Sequence, residues 1–422
     1  MTHPLRSRNF LFLFLSQCLS VGGSRLFQIA LVWWALKALN QEGWLAQWNT
    51  PILLVATVLP PIVFLPYIGK TVEKKNPQDL ILLCEAGGVL GCGLLLGLPW
   101  IMEANLVMLF WACAVSIFWF ACMQAVVEPS IQKWVPKVVT ESELPKALSL
   151  TSITGTVAGL VGAVLGGAVV DRFDLTGAVV VNVFSYFLSL VLINNIKLKA
   201  SPNLDQNQTP MDSISHTSAN STPLEGQSTP TFWERYTQIQ ILDPFPTPKK
   251  LLLLFAGVNF FLTPILVFLP IFTKQVLNGS GKTLGVLEAS ISVGILGGSL
   301  FFYKWNFAQS ILKRVSLLLL CAGVSFTSIG FFDSPLPVAM SLLMIGLCLG
   351  SLNVQIVTYF QQQIPDALKA RFFALLQAFV AVAIPFGYLM VGSLAAWIQW
   401  LPFFLGAGVV LMGVISIRIY KR

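Results

Sequence analysis

Residues 132–136 read Gln-Lys-Trp-Val-Pro, and residues 361–365 read Gln-Gln-Gln-Ile-Pro. Each stretch follows an apolar run and precedes a Lys-Ala step, at Lys146-Ala147 and at Lys369-Ala370. Chance can produce one such pattern, but two copies in matching positions, about half a chain apart, indicate an internal repeat. The repeat predicts a protein built from two similar halves.

Composition indicates a membrane protein. Of the 422 residues, 55% are hydrophobic and 10% are charged, whereas soluble domains carry about 25% charged residues. This excludes a water-soluble globule, and the net charge of +8 is not gathered on one basic face that would suit nucleic acid. About 20 apolar residues cross a bilayer as a helix. Apolar windows therefore predict an all-α membrane protein with twelve transmembrane helices in two six-helix pseudo-repeats, near 10–39, 50–69, 79–101, 104–128, 146–170, 175–196, 250–273, 283–303, 310–332, 335–359, 367–396 and 398–418.

A polar stretch separates the two sets of spans. Residues 200–247 are rich in Ser, Thr, Pro, Asn and Gln, and such a segment cannot bury enough apolar surface to order itself. We predict an N-terminal six-helix bundle over 1–199, a flexible linker over 200–247 and a C-terminal six-helix bundle over 248–422.

Lysine and arginine positions predict the orientation, because cytoplasmic loops carry an excess of both. With the N-terminus inside, nearly all of the 26 lysines and arginines fall on the cytoplasmic side. The exceptions are Arg25, Lys37, Arg172, Lys274 and Lys282. We expect a multi-pass protein of the plasma membrane (a bacterial inner membrane) with both termini and the linker in the cytoplasm.

Three longer stretches carry a family resemblance: IQKWVPKVVTESELPKALSLTSI at 131–153, QQQIPDALKARFFAL at 361–375, and residues 259–299, which begin NFFLTPILVFLPIFTK. The chain resembles the major facilitator superfamily, in particular its macrolide-efflux, siderophore-exporter and lysophospholipid-transporter branch. The resemblance implies a transporter that works as a monomer by alternating access, with a solute bound between the halves. It also implies that the first, fourth, seventh and tenth helices line the central cavity.

The resemblance further implies a cytoplasmic gate at the loop between spans two and three. That loop usually reads Gly-x-x-x-Asp-Arg in the superfamily, whereas residues 69–75 read GKTVEKK. Glu thus replaces Asp, and Lys replaces Arg, which loses Arg's bidentate fork. We predict a gating salt bridge between Glu128 and Lys133. The full set of expected gate residues is Gly69, Glu73, Lys74, Glu128, Lys133 and Arg371.

Span five carries a glycine stripe. Gly155, Gly159, Gly162 and Gly166 fall within about 60° at 100° per residue, and small residues let helices approach closely in lipid. We expect this face to pack on a neighbouring helix. The stripe resembles the glycine-rich fifth helix of superfamily antiporters, but Ala163 stands where their motif has Pro, so antiport does not follow from it.

Span one carries a polar stripe of Gln17, Ser20, Ser24 and Gln28, which is either a substrate surface or interhelical hydrogen bonding. Pro264 is expected to break span seven at the cavity. An apolar cavity with few polar groups suits a bulky amphipathic solute. The predicted substrate-cavity residues are Gln17, Ser20, Ser24, Arg25, Gln28, Trp119, Met123, Gln124, Asn259, Thr263 and Asn353.

Arg25 lies near mid-membrane, where an unpaired charge would cost at least about 3 kcal/mol. It is therefore either a substrate contact or a structural group paired with Glu288 or with backbone carbonyls. Buried carboxyl groups can carry protons, and both histidines, His3 and His216, lie outside the spans. Glu288 is thus the first candidate for proton coupling and Glu85 the second.

No catalytic constellation, metal site or cofactor motif is evident. The seven cysteines all lie in apolar runs without a Cys-x-x-Cys pair, which is typical of small buried hydrophobes. The expected partners are a small-molecule or lipid substrate, membrane lipids and protons.

The sequence therefore predicts a secondary active transporter that exports a hydrophobic or amphipathic small molecule, with proton antiport as the candidate coupling. Two alternatives stay open. A lysophospholipid flippase would need a lateral opening near Arg25 and no coupling acid. A membrane sensor or assembly factor would keep the fold without transport, and the altered loop, the missing proline and the scarcity of intramembrane acids favour it slightly.

Overall fold

The computed structural model describes residues 4–39, 43–101, 105–140, 143–196, 246–303 and 310–421. Within these ranges the chain is helical, with short turns between the helices. The linker predicted at 200–247 lies outside the described residues except for its last two, which begin a helix.

The N-terminal half begins with a 3₁₀ turn at Pro4–Arg6. Five α-helices follow: α1 (Arg8–Ala38), α2 (Trp44–Lys74), α3 (Pro77–Ile101), α4 (Leu106–Val138) and α5 (Leu144–Asn194).

Helix α5 crosses the membrane twice. Its 51 residues would extend about 76 Å at 1.5 Å per residue, more than twice the roughly 30 Å hydrocarbon core. The chain reverses at Asp174, whose φ of 55° and ψ of −163° are not helical. We call residues 144–173 the first arm of α5 and residues 175–194 its second arm.

The C-terminal half contains α6 (Pro246–Leu262), α7 (Ile265–Gln275), α8 (Gly281–Tyr303), α9 (Ile311–Ile329), α10 (Pro335–Gln363), α11 (Asp366–Ser393), a 3₁₀ turn (Ala395–Trp397) and α12 (Leu401–Lys421). Helices α6 and α7 form one crossing, interrupted at Thr263 and Pro264. The predicted proline break is thus present. Since proline has no N–H, it cannot continue the hydrogen-bond ladder of α6.

Eleven described segments are long and apolar enough to span a membrane, and α5 accounts for two crossings. The fold is therefore the expected all-α membrane fold with two six-span halves. Packing repeats between them: α2 packs on α4 as α8 packs on α10, and α3 packs on α5 as α9 packs on α12.

The repeated signature takes two different local structures. Helix α4 continues to Val138 with Pro129 and Pro136 inside it, ten residues beyond its predicted end at residue 128. Helix α10 ends at Gln363, and Pro365 becomes the N-cap of α11. The first copy is therefore the last turns of a helix rather than a connection between helices.

The halves meet chiefly through two helix pairs, α5 with α8 and α2 with α11. We call the membrane face at which α1 begins the terminal face, and the other the opposite face. Both pairs join near the opposite face: Gly167 lies against Gly281, and the Gln47 side chain donates to the Gly392 carbonyl at 2.7 Å. We call this region the opposite-face seal.

Candidate functional site

An ion pair joins the halves inside the membrane. The Arg25 Nη2 atom of α1 lies 2.5 Å from Glu288 Oε2 of α8, and Arg25 Nη1 donates to Gln28 Oε1 at 2.7 Å. Glu288 is 7% exposed and Arg25 26%. The carboxylate and guanidinium neutralise each other where either alone would be costly. Glu288, the first candidate proton carrier, is thus held by Arg25 in this conformation.

The pair lies deep in the bilayer. Arg25 is seventeen residues beyond Arg8, the first residue of α1, which is about 26 Å along a helix. Glu288 is seven residues beyond Gly281, the start of α8, or about 10 Å from the opposite face. The ion pair therefore lies directly beneath the opposite-face seal.

A cavity of about 530 Å³ opens in the N-terminal half on the terminal side of the pair. Six of its eleven lining residues carry polar side chains. The lining residues are Gln17, Val21, Gln124, Glu128, Ile131, Gln132, Pro136, Leu148, Thr151, Thr154 and Gly155. We call this space the N-half cavity. It contains two predicted cavity residues, Gln17 and Gln124, and one predicted gate residue, Glu128.

A second cavity, of about 220 Å³, lies in the C-terminal half. We call it the C-half cavity. Asn259, Thr263 and Asn353 line it, as predicted for the substrate site. Its other lining residues are all apolar: Leu254, Phe255, Val258, Leu262, Ile265, Leu266, Ile291, Ile295, Val315, Leu319, Leu349, Leu352 and Ile356.

The C-half cavity adjoins the ion pair. Leu266 lines both this cavity and the small pocket that contains Arg25, Gln28 and Glu288. The break in the seventh crossing borders it too, because Thr263 lies in the wall and Pro264 cannot donate to the Phe260 carbonyl. The ion pair thus has a cavity of mixed polarity on one side and an apolar cavity on the other.

Four predicted cavity residues pack elsewhere. Trp119 donates from Nε1 to the Gly87 carbonyl at 3.2 Å, and Met123 lies against the same glycine. Five residues separate Trp119 from Gln124, which turns them about 140° apart around α4, so Trp119 faces α3 while Gln124 faces the cavity.

Ser20 and Ser24 also point away from both cavities. The Ser24 hydroxyl donates to the Ser20 carbonyl at 2.7 Å and lies 2.9 Å from Tyr186 Oη on the second arm of α5. Ser20 is 1% exposed and adjoins Glu85. The polar stripe of span one therefore divides. Gln17 faces a cavity and Gln28 the ion pair, whereas Ser24 ties α1 to α5 and Ser20 faces Glu85 on α3.

The predicted salt bridge between Glu128 and Lys133 is wrong. Lys133 Nζ instead donates to the carbonyls of Val72, Glu73 and Lys75 at 2.6, 2.9 and 3.1 Å. These carbonyls end α2, where cations are favoured by the helix dipole. Glu128 is exposed and lines the N-half cavity.

The remaining gate residues lie at the terminal face. The side chains of Glu73 and Lys74 are exposed, and a Cβ atom at Gly69 would meet nothing within 4 Å. The side chain of Arg371 lies outside the described part of the chain.

Only half of the glycine stripe packs on a helix. A Cβ atom at Gly162 would strike the Gly22 carbonyl, and one at Gly166 the Leu26 carbonyl, both on α1. At Gly155 and Gly159 it would meet nothing within 4 Å. The stripe thus packs tightly toward the opposite face and is open toward the terminal face.

Sequence reasoning missed the contacts that build the opposite-face seal. Asp171 accepts hydrogen bonds from the backbone N–H groups of Gly281 and Lys282 at 2.9 and 2.8 Å, at the positive end of α8. Lys274 donates from Nζ to the Leu36 carbonyl at 2.6 Å. The sequence contained one indication of these contacts. Arg25 and Lys274 are both among the few lysines and arginines that do not lie on the predicted cytoplasmic side.

The whole arrangement matches a known family. The Major Facilitator Superfamily profile matches residues 13–387. The chain belongs to that superfamily. It is therefore a multi-pass membrane transporter with the all-α fold that the resemblance implied.

Relatives and solved structures share this fold. The uncharacterized MFS-type transporter YfiS of Bacillus subtilis is 22% identical over 142 residues, which cover 34% of this chain and about a third (32%) of that relative. A bacterial homologue of the iron transporter ferroportin in an inward-facing state superposes with a TM-score of 0.73 at 16% identity, covering 98% of this chain and 99% of that one.

A bacterial ferroportin homologue in an outward-facing state, soaked with iron, gives a TM-score of 0.58 at 15% identity, covering 98% of this chain and 99% of that one. At these identities the likeness concerns the fold.

Proposed function

We propose that this transporter exports an amphipathic small molecule by alternating access, and that the described conformation is open to the cytoplasm. The observation that carries the proposal is the pair of dissimilar cavities, one of mixed polarity and one apolar, on either side of the Arg25–Glu288 pair. The seal above that pair closes the way to the opposite face.

Charge supports the terminal face as the cytoplasmic one. Lysines and arginines concentrate in the connections on that side, as the positive-inside rule requires. The chain superposes with a TM-score of 0.73 on an inward-facing structure and of 0.58 on an outward-facing one. This difference agrees with an opening toward the terminal face.

The cavity walls support the substrate class. Apart from Asn259, Thr263 and Asn353, the C-half cavity has only apolar lining, so it suits a hydrophobic body, since such surface gains about 25 cal/mol per Å² on burial. The N-half cavity offers amides, hydroxyls and the Glu128 carboxylate, which suit a polar or cationic head. An amphipathic solute fills both cavities at once.

The ion pair supports a role in the transport cycle. Opening at the opposite face separates α8 from α1 and α5, and so parts Glu288 from Arg25. A carboxylate left buried without its partner is destabilised by about 3–5 kcal/mol, and taking up a proton removes that charge. Proton antiport through Glu288 follows: the proton enters from the opposite face and leaves when Arg25 returns.

The test is transport in proteoliposomes loaded with an amphipathic cationic dye, a macrolide or a lysophospholipid, with and without a pH gradient. We expect gradient-driven movement of the dye or the macrolide. Glu288→Gln should abolish the dependence on the gradient, while Asp333→Asn, an exposed carboxylate, serves as the matched control.

Each alternative has its own result in the same assay. Movement of the lysophospholipid alone, unaffected by the gradient, would support a flippase. Absence of movement for all three solutes, from protein that stays folded, would support a sensor or assembly factor.

A further inference from the structure

Glu85 forms a second polar centre, wholly inside the N-terminal half. Its side chain on α3 is 1% exposed, and both carboxyl oxygens lack a hydrogen-bond partner. Among the described residues no lysine or arginine nitrogen comes within 4.0 Å of it. Glu288, by contrast, has such a partner in Arg25.

Other unsatisfied groups converge on this carboxyl group. The hydroxyls of Ser20 on α1 and Ser189 on the second arm of α5 lie within reach of this carboxyl group. The two residues are 1% and 0% exposed, and neither hydroxyl makes a well-aligned hydrogen bond. The Gln17 Nε2 atom, one turn before Ser20, is also buried and unpaired. Buried polar atoms are nearly always paired in native proteins, so this cluster calls for a missing ligand.

The surrounding contacts hold the cluster in place. The contact between Ser24 and Tyr186 Oη joins α1 to the second arm of α5 one turn from Ser20. A Cβ atom at Gly88 on α3 would strike the Tyr186 ring, and one at Gly23 on α1 would strike the Ser185 hydroxyl. Three helices therefore pack closely around oxygens that make no hydrogen bonds.

We propose that Glu85, Ser20 and Ser189 form a binding site for a monovalent cation, Na⁺. One carboxylate and two hydroxyls are hard oxygen ligands, and a single positive charge balances the single negative charge. A divalent ion would leave an uncompensated charge in this buried site. Backbone carbonyls or water entering with the ion would complete the coordination.

The response to solution conditions distinguishes this cation from a proton. A protonated Glu85 would donate to a hydroxyl at an O···O distance of about 2.7 Å and would be favoured by low pH. A bound ion instead stabilises the protein as Na⁺ is added at constant pH.

Gln17 offers the ion a route, because it lines the N-half cavity and lies one turn before Ser20 on α1. Bound Na⁺ would clamp α1 to α3 and α5, and α1 also carries Arg25. The site can stabilise the N-terminal half whatever solute the protein moves, so its test does not depend on the proposed export.

The experiment measures sodium binding to the purified full-length protein. Thermal unfolding, followed by tryptophan fluorescence, is recorded in NaCl against choline chloride at constant ionic strength, together with ²²Na⁺ binding. We expect a saturating rise in Tm with Na⁺. Glu85→Gln should abolish this rise and weaken ²²Na⁺ binding at least tenfold, Ser189→Ala should weaken both, and Asp79→Asn, an exposed carboxylate on the same helix, should change neither.

Three results would overturn the proposal. The first is wild-type protein without a sodium response, and the second is an unchanged response in Glu85→Gln. The third is a stabilisation that depends on Glu85 but is produced by Ca²⁺ or by low pH and not by Na⁺. Ser189→Ala keeps the test decisive where Glu85→Gln does not fold.

Discussion

Glu288 and Glu85 are both buried carboxyl groups, yet their surroundings differ. Glu288 lies between the halves and has Arg25 and its neighbour Gln28 as partners. Glu85 lies within one half, near two hydroxyls but without a charged partner or a well-aligned hydrogen bond. A charge between moving bodies can gain and lose its partner during a cycle, whereas a charge inside one body keeps its surroundings. The first position suits coupling to motion, and the second suits a resident ion.

The largest effect should come from removing one partner of the ion pair and leaving the other in place. Arg25→Ala leaves Glu288 buried without its partner and should lower stability by about 3–5 kcal/mol and abolish transport. The paired change Arg25→Met with Glu288→Met should restore stability, because an apolar pair of similar volume replaces a buried ion pair at little cost. Thermal unfolding measures both, and additive losses in the double variant would contradict direct pairing.

Glu85→Gln should behave differently in sodium-free buffer. No partner is lost, so the free energy of unfolding should change by less than about 1 kcal/mol, in contrast to Arg25→Ala. Denaturation in choline chloride measures it. A loss as large as that of Arg25→Ala would show that Glu85 has a structural partner.

The opposite-face seal can be weakened without touching either carboxyl group. Asp171→Ala removes two charge-assisted hydrogen bonds to the start of α8, each contributing about 1.5–3 kcal/mol. The equilibrium should shift toward the conformation open at the opposite face. Maleimide labelling of Ala163→Cys, a buried position beneath the seal, should then speed up at least tenfold, and an unchanged rate would remove Asp171 from the seal.

The smallest predicted difference in stability is between substitutions at two glycines of the stripe on α5. Gly162→Ala places a methyl group against the Gly22 carbonyl and should destabilise by about 1–3 kcal/mol. Gly155→Ala meets open space and should be neutral or stabilise by up to about 1 kcal/mol. Equal effects on Tm would mean that the stripe packs along its whole length.

Much of the fold follows from sequence because lipid imposes it. Backbone polar groups must be satisfied within each helix in lipid, so apolar length and the repeated signature were enough to predict twelve crossings. The polar stripe on α1 and the charge of Arg25 within an apolar span also indicated that α1 carries residues of the site.

The rest depends on packing between helices distant in sequence. Nothing around Lys133 signals that it would bind the carbonyls ending α2, and Trp119 faces α3 because of the rotation of α4. The seal formed by Asp171, Lys274 and Gln47 uses backbone groups of the other half, which no side-chain pattern reveals. The unpaired oxygens at Glu85 likewise emerge only when three helices come together.

Labelling from each side of the membrane tests the central claim, that the halves are sealed above the ion pair and open below it. Gly155→Cys and Ala163→Cys are placed singly in a cysteine-free background, and an impermeant maleimide is applied to one face at a time. We predict rapid labelling of position 155 from the terminal face and protection of position 163 from both faces. Labelling of position 163 from the opposite face, with position 155 protected, would contradict the account.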